Sequence, residues 1–326
     1  FEVMGMLLRQ DDACCRRQLS VRTYKVIPLH PQAGLLEFVD AVALSKILGD
    51  AKRRKGERPD EESLRDRFRI GSKWEKYSSD FIATEFARIE KSTKKKTEFF
   101  REVIKNTEPV FHHYFLERSW SAPTWFQRRL AYTRSVASTS MAGFVVGLGD
   151  RHTSNTLMIE ATSELLNIDL GIVFDQGQLL AVPELVPFRL TREVVDGFGV
   201  AGTEGVFTRC CEETLRVLRD NKEDLLAIVD VLLHDPLMSW RMSTNKAAVN
   251  RKERALQAAE SEADSVLKQE EQAIDAKMVR KQVKDKLEGR HRSEHLGVEG
   301  QVKQLILDAR SEEHLSQIFR GWMPWL

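Results

Sequence analysis

Residues 147–155 read Gly-Leu-Gly-Asp-Arg-His-Thr-Ser-Asn, and residues 169–171 read Asp-Leu-Gly. The segment between them, 156–168, contains two short apolar runs with a polar break in the middle. Two such runs predict a β-hairpin. Because a hairpin returns the chain to its starting point, we expect Asn155 and Asp169 to lie side by side.

The predicted loop carries the oxygen donors of a phosphotransfer site. Asp150 lies five residues before Asn155, and Asp169 lies fourteen residues after it. Amide and carboxylate oxygens suit Mg²⁺, which combines a few protein ligands with water and phosphate oxygens. A carboxylate for the acceptor hydroxyl, followed by Asn and Asp for metal, is the spacing of a kinase loop. An isolated Asp-x-x-x-x-Asn occurs by chance in ordinary polar loops, but the complete set favours a kinase-type site.

The order Asp150-Arg151-His152 with Asp-Leu-Gly at 169–171 resembles the phosphatidylinositol-3-kinase-related kinases, and within them the ataxia-telangiectasia-mutated (ATM) branch. Ordinary protein kinases write these motifs His-Arg-Asp and Asp-Phe-Gly. Three further stretches support the family, namely 186–191 (VPFRLT), 202–207 (GTEGVF) and 321–326 (GWMPWL). Two more support the branch, namely 174–177 (FDQG) and 209–212 (RCCE).

The resemblance implies an α+β, two-lobed protein-kinase-like fold of the PI3/PI4-kinase type, with a mostly helical large lobe. Residues 1–40 are expected to be a remnant of the small lobe and the hinge, and residues 41–245 the large lobe with catalytic loop and activation segment. Residues 246–296 are expected to form a helical regulatory region, and 297–326 the FATC segment. The sequence shows neither a Gly-rich phosphate loop nor a strand-borne Lys before the hinge. We therefore expect most of the small lobe to lie in a larger protein.

The resemblance also implies roles for individual residues. Asp150 orients the acceptor hydroxyl and takes its proton, and His152 donates a hydrogen bond to the transferring phosphoryl group. Asn155 and Asp169 hold the metal. The expected nucleotide-binding residues are Tyr24, Leu36, Glu37, Phe38, Val39, Leu157 and Ile168. Those of the activation segment and substrate site are Asp169, Leu170, Gly171, Pro183, Pro187, Phe188 and Arg189.

By the same resemblance, the function is that of a serine/threonine protein kinase that uses ATP with Mg²⁺ or Mn²⁺. Its substrates are proteins with Ser/Thr-Gln sites, in checkpoint signalling from DNA double-strand breaks and in telomere maintenance. The family implies a nuclear location and a homodimer formed through regions outside this chain. It also implies a DNA-break sensor complex of the MRN or MRX type as partner.

Two other functions compete with this one. A phosphoinositide kinase needs basic side chains in its activation segment for the head-group phosphates, but residues 169–188 contain no Lys or Arg. That segment also lacks Ser, Thr and Tyr, so we expect activation by movement of the loop and not by its phosphorylation. A catalytically dead scaffold would have lost Asp150, Asn155 or Asp169, and all three are present.

The bulk composition is that of a chain with an ordinary core. Of its 326 residues, 42% are hydrophobic, and the net charge of +1 does not indicate a polyanion-binding protein. No apolar run approaches the length of a membrane span. The four cysteines form two adjacent pairs, 14–15 and 210–211, which fits reduced thiols better than zinc or a disulfide framework.

Several helices are predicted from apolar spacing. The longest runs over 125–146 and feeds the loop at Asp150. Residues 206–219 form another, and the nearly all-apolar stretch 225–233 predicts a buried one. The charged stretch 49–79 predicts an exposed insertion. Trp322 and Trp325 should be packed against the large lobe, with insertion into a membrane surface as the alternative.

Overall fold

A computed structural model describes residues 1–30, 33–49, 63–68, 77–89, 92–233, 276–291 and 294–326. Helices dominate, and the strands form small antiparallel sheets, which confirms the predicted α+β class. The helices are α1 (Glu2–Gln10), α2 (Asp12–Arg16), α3 (Leu44–Leu48), α4 (Leu64–Phe68), α5 (Ser79–Arg88), α6 (Thr93–Asn106), α7 (His112–Glu117), α8 (Ala122–Val146), α9 (Arg192–Asp196), α10 (Val206–Asp220), α11 (Lys222–Leu233), α12 (276–287), α13 (Val298–Ala309) and α14 (Glu312–Gln317). The strands are β1 (Val26–His30), β2 (Ala33–Leu36), β3 (Ala41–Ala43), β4 (Thr156–Ile159), β5 (Glu164–Asn167), β6 (Arg290–His291) and β7 (Glu294–His295). Short 3-10 turns occupy Gln176–Leu179 and Arg320–Trp322.

The hairpin predicted between the two motifs is present as β4 and β5. Its register pairs Thr156 with Asn167 and Ile159 with Glu164. Strand β3 adds to the other edge of β4, so a three-stranded sheet supports the loop. Strands β1 and β2 form a second antiparallel pair, and both are exposed along their whole length.

Helix α8 is the longest described helix and the centre of the core. The hydroxyl of Ser121 caps it by accepting a hydrogen bond from the N–H of Thr124 at 3.3 Å, and Pro123 lies in its first turn. It therefore begins a few residues before the predicted start at Trp125. Its second half is buried on nearly every side because it packs against both α10 and β5. This packing gives the following loop a rigid base.

Gly147 ends α8 in the left-handed conformation, at φ +62°. A Cβ at this position would lie 2.4 Å from the main-chain nitrogen of Asp175. Gly147→Ala is therefore expected to cost about 3 kcal/mol of local stability, from backbone strain and from displacement of the activation segment. Hydrogen exchange at the Asp175 amide, which donates to the Gly147 carbonyl at 3.0 Å, measures this cost.

The matched control is Gly202→Ala. Gly202 also has a positive φ of +54°, but its Cβ would meet only ordinary contact, 3.7 Å from Val195 Cγ1. That variant should lose only about 1 kcal/mol, the cost of the backbone conformation alone. Equal losses of stability in the two variants would show that the close approach of Asp175 to Gly147 adds nothing to the cost of the Gly147→Ala substitution.

The prediction of a buried helix at 225–233 is wrong in part. Leu225, Leu226 and Val229 are buried, whereas Val231 is 73% exposed and Leu232 is 40% exposed. Helix α11 buries one face, to which Leu233 also belongs, and the apolar side chains outside that face meet solvent. Phe126, in the first turns of α8, is 46% exposed, and the buried residues of that helix begin at Tyr132.

The predicted insertion over 49–79 and the regulatory region from 246 lie largely outside the described residues. The described part of that region begins with α12. The short β6–β7 pair follows α12, and α13 starts at Val298.

The end of the chain is packed onto the helical core, as predicted. Trp322 and Trp325 are each only 2% exposed, and Trp325 stacks on Phe86 of α5 with ring centroids 5.5 Å apart. Helix α14 packs against α6. The alternative of a tryptophan-bearing tip inserted in a membrane is wrong for this arrangement, because both indoles are already buried. Within the described ranges, no helix is long and apolar enough to cross a membrane.

Candidate functional site

The loop after α8 is fastened to the start of the activation segment. The N–H of Gly149 donates to the carbonyl of Ile172 at 2.9 Å, and the N–H of Asp175 donates to that of Gly147 at 3.0 Å. These two hydrogen bonds hold residues 147–149 alongside residues 172–175, directly after the end of α8. The catalytic loop and the activation segment are therefore joined to each other by main-chain hydrogen bonds at the end of α8.

Helix α12 contacts both the end of α8 and the activation segment. The ammonium group of Lys286 donates to the carbonyl of Phe144 at 3.0 Å and to Asp175 Oδ1 at 2.7 Å. Burial lowers the pKa of Lys286, and the carboxylate of Asp175 opposes that shift. This contact ties a part of the predicted regulatory region to the end of α8 and to the activation segment.

Arg151 ties the two sides of the loop together. Its side chain is buried and donates to the carbonyls of Gly149 at 2.7 Å, Ile168 at 2.8 Å and Asp169 at 2.6 Å. Five N–H donors in a fixed plane make arginine suited to this bridging. Sequence reasoning gave Arg151 no role of its own. Its position between Asp150 and His152 was the only available signal.

The structure brings Asp150, Asn155 and Asp169 to one place. The amide nitrogen of Asn155 donates to the main-chain oxygen of Asp150 at 3.1 Å and to its Oδ2 at 3.4 Å. The N–H of Ile168 donates to the carbonyl of Asn155 at 3.0 Å, so Asp169 follows directly beside Asn155. Asp150 and Asp169 both have left-handed backbones, at φ +58° and +53°. Non-glycine residues rarely adopt this conformation, and it concentrates at functional sites.

The donor set fits a divalent metal of the magnesium type. Because the amide nitrogen of Asn155 is bound to Asp150, its amide oxygen is the atom left for a metal. Asp169 is exposed to solvent. The described residues contain no cluster of three or more His, Cys, Asp or Glu that would form an all-protein metal cage. A pair of oxygen ligands completed by phosphate and water is what Mg²⁺ prefers.

His152 is half-buried beside these residues. Its Nδ1 accepts a hydrogen bond from the N–H of Ser154 at 3.1 Å. Burial lowers the pKa of His152 below its ordinary value of 6.5, although the carboxylate of Asp150 acts in the opposite direction. The ring is therefore neutral at pH 7 and carries its proton on Nε2. That nitrogen is a hydrogen-bond donor without a net charge.

The predicted hinge residues lie on and after β2. Phe38 is 92% exposed and Leu36 is 68% exposed, while Val39 is half-buried. Glu37 is held within the hairpin, since its N–H donates to the carbonyl of Lys25 and its carboxylate accepts from the Lys25 N–H, both at 2.9 Å. Within this chain, β1 and β2 bury none of their side chains.

A cavity of about 190 Å³ connects the hinge hairpin with the metal motif. Tyr24 and Val26 line one side, and Asn167 and Leu170 line another. Leu157, in the middle strand of the sheet, and Ile168, just before Asp169, are half-buried. Of the predicted nucleotide-binding residues, Tyr24 lines this cavity together with Leu170 of the metal motif.

The activation segment divides into exposed and buried positions. Gly171 and Pro183 are exposed and Pro187 is half-buried, which leaves them accessible to a substrate. Phe188 and Arg189 are only 6% and 7% exposed. This burial does not support the prediction that both side chains contact the substrate directly. Arg189 instead donates to the main chain of the terminal segment.

Glu184 is a second residue that sequence reasoning missed. It was noted only as an acidic residue of the activation segment, yet its carboxylate accepts from the Asp150 N–H. Residues 176–190 contain no other carboxylate. A single acidic residue between the apolar runs 179–183 and 185–188 was the signal that could have found it.

Left-handed aspartates around a returning hairpin, braced by a buried arginine and followed by Asp-Leu-Gly, define the kinase-like class of phosphotransfer folds. Within that class, the chain belongs to the phosphatidylinositol 3- and 4-kinase family, whose model matches residues 1–242. The model of the FATC domain matches residues 295–326.

The similarity to known proteins extends over all or nearly all of this chain. It is 43% identical to the serine/threonine-protein kinase ATM of Arabidopsis thaliana, over all of this chain and 8% of that protein. It is 38% identical to the serine-protein kinase ATM of Sus scrofa, over all of this chain and 11% of that protein. The structure of the complete CtTel1 dimer with C2 symmetry superposes with a TM-score of 0.79 at 34% identity, over 99% of this chain and 11% of that one. The chain thus spans about a tenth of the length of the proteins that it resembles.

Proposed function

We propose that this chain is the catalytic part of a serine/threonine protein kinase that transfers the γ-phosphate of ATP to Ser or Thr followed by Gln. The observation that carries the proposal is the convergence of Asp150, Asn155 and Asp169 around the buried guanidinium of Arg151. The names of the relatives, which are serine/threonine-protein kinases, support it.

Each residue of the site has a role that its contacts support. The carboxylate of Asp150 orients the acceptor hydroxyl and accepts its proton. The amide oxygen of Asn155 and the carboxylate of Asp169 would hold Mg²⁺ or Mn²⁺, which when bound neutralises charge on the phosphates of ATP. His152 donates from Nε2 toward the phosphoryl oxygens and stabilises the charge that develops there. Tyr24, Leu36, Glu37, Phe38, Val39, Leu157 and Ile168 are the proposed nucleotide contacts.

A protein substrate is favoured over a phosphoinositide. Residues 169–188 contain no Lys or Arg. The first cation after them, Arg189, is buried and donates to the main chain of the terminal segment. The segment therefore offers no exposed cation of its own for a phosphorylated head group. Because Asp150, Asn155 and Asp169 are all present and brought together, a dead scaffold is not favoured either.

The wider setting is proposed from the family. The protein would act in the nucleus, in checkpoint signalling from DNA double-strand breaks and in telomere maintenance. It would form a homodimer through regions outside this chain; the related CtTel1 forms a dimer with C2 symmetry. Recruitment would depend on a DNA-break sensor complex of the MRN or MRX type.

The test is phosphate transfer by the full-length protein with ATP and Mg²⁺ or Mn²⁺. Three acceptors are compared: a Ser-Gln peptide, the same peptide with Gln replaced by Ala, and phosphatidylinositol vesicles. The variant Asp150→Asn is the control for contaminating kinases. We expect transfer to the Ser-Gln peptide alone. Labelling of the vesicles would establish a lipid kinase, and absence of transfer with a DNA-activated preparation would establish the scaffold.

A further inference from the structure

Glu184 is a buried carboxylate placed directly behind Asp150. The main-chain N–H of Asp150 donates to both of its oxygens, at 3.0 Å to Oε1 and 2.8 Å to Oε2. Glu184 is only about 9% exposed. Burial of a carboxylate is costly and is tolerated where hydrogen bonds or charges compensate it. The hydrogen bonds from the Asp150 N–H supply part of this compensation for Glu184.

Two glycines make room for this carboxylate. A Cβ at Gly149 would lie 3.1 Å from Glu184 Oε2, and a Cβ at Gly177 would lie 3.0 Å from the same atom. The N–H of Glu184 also donates to the carbonyl of Gly177 at 3.0 Å. The pocket around the carboxylate is thus built from both the catalytic loop and the activation segment.

The backbone of Asp150 needs a fixed partner. Its φ of +58° lies in the left-handed region, which an L-residue occupies only when the surrounding structure holds it there. Glu184 supplies a charged acceptor for the Asp150 N–H, and hydrogen bonds to charged groups are stronger than neutral ones. Rotation of this backbone would redirect the Asp150 side chain.

We propose that Glu184 is a positioning residue whose carboxylate fixes the main chain of Asp150 and so aims the Asp150 side chain at the acceptor hydroxyl. This inference rests on the proposed function. Because Glu184 belongs to the activation segment and Asp150 to the catalytic loop, the orientation of Asp150 depends on how the segment is seated. Displacement of the segment removes the acceptor and misaligns the site.

The charges around Glu184 give a way to separate positioning from general support of the fold. Burial raises the pKa of Glu184 above its ordinary value of 4.5; the hydrogen bond from the Asp150 N–H opposes this shift, the carboxylate of Asp150 adds to it, and Arg151 and Arg189 oppose it. An acid whose pKa is raised by folding binds its proton more tightly in the folded state. Its ionised form therefore lowers stability at pH values above its ordinary pKa. Glu184→Gln should consequently melt no lower than wild type at pH 7.

The experiment measures kcat, KM for ATP and melting temperature in the full-length protein, with the Ser-Gln peptide as acceptor. Glu184→Ala is expected to lower kcat about 100-fold, the effect of a catalytic group misplaced by about 1 Å. KM for ATP should stay within about threefold, since the contacts of Glu184 are with Asp150, Gly149 and Gly177, and none of these is a proposed nucleotide-binding residue. Glu184→Gln keeps an oxygen that accepts from Asp150 and should recover kcat to within about tenfold of wild type. Glu204→Ala, at an exposed carboxylate, is the control and should match wild type.

Hydrogen exchange at the Asp150 amide provides a readout that does not depend on activity. The amide should be protected in wild type and in Glu184→Gln, and should lose protection in Glu184→Ala. Unchanged protection in Glu184→Ala, or a kcat equal to that of wild type, would overturn the inference. A fall in melting temperature in Glu184→Gln that parallels its loss of kcat would overturn it as well. Failure of wild type to phosphorylate the peptide would count against the proposed function, and the exchange result would still decide the positioning.

Discussion

Asp150→Asn is expected to lower kcat for peptide phosphorylation about 1000-fold, within the range that a positioned general base contributes. The variant removes the proton acceptor while it keeps the size of the side chain. The hydrogen bond from Asn155 to the main-chain oxygen of Asp150, at 3.1 Å, does not depend on the carboxylate. The loop should therefore keep its shape, and single-turnover kinetics with the full-length protein will show whether the chemical step is the one affected.

Asp169→Asn is the informative comparison. It replaces a proposed metal ligand, so it should raise the Mg²⁺ concentration needed for half-maximal rate, whereas Asp150→Asn should leave that concentration unchanged. A shift of the Mg²⁺ requirement in Asp150→Asn would assign Asp150 to the metal. A rate close to that of wild type in Asp150→Asn would remove it from the catalytic role.

Arg189→Ala is expected to destabilise the terminal segment by about 4 kcal/mol. The guanidinium of Arg189 donates to the carbonyls of Trp322 at 2.7 Å, Met323 at 3.0 Å and Leu326 at 3.1 Å, and lies over the indole of Trp322. Without Arg189 the Met323 carbonyl keeps the Leu326 N–H as a donor, but the Trp322 and Leu326 oxygens lose theirs, and each buried oxygen left without a donor costs roughly 1–3 kcal/mol. Hydrogen exchange at the amide of Leu326, which donates to the Met323 carbonyl at 3.2 Å, measures the loss in the full-length protein.

The same variant should also lower kcat, because Arg189 donates at 3.3 Å to the carbonyl of Arg151 in the catalytic loop. Arg189→Lys should restore little, since one ammonium group cannot reproduce a planar fork of donors. The control is Arg320→Ala, which removes an exposed arginine of the same segment that binds one carbonyl, that of Ala83. It should stay within about 0.5 kcal/mol of wild type. Similar losses in Arg189→Ala and Arg320→Ala would mean that Arg189 is not the anchor.

The hairpin and the long helix were predictable because both depend on local patterns. Alternating apolar runs around a polar break specify β4 and β5, and the Gly at 147 specifies the end of α8. The resulting meeting of Asn155 with Asp169 follows from the geometry of a hairpin alone. The burial of α11 was not predictable in the same way. An apolar composition does not reveal which face of a helix finds a partner, and that decided the exposure of Val231.

The sequence by itself determined the family, the loop that carries Asp150, Asn155 and Asp169, and the hairpin that joins them, since these depend on residues close together in the chain. Only the tertiary structure decided what holds that loop in place. Glu184 and Arg189 reach it from 34 and 38 residues away, and such contacts depend on the path of the whole chain. The difference is most visible at Arg189: in the sequence it is the first cation of a substrate-facing segment, and in the fold it is an internal anchor for the terminal segment.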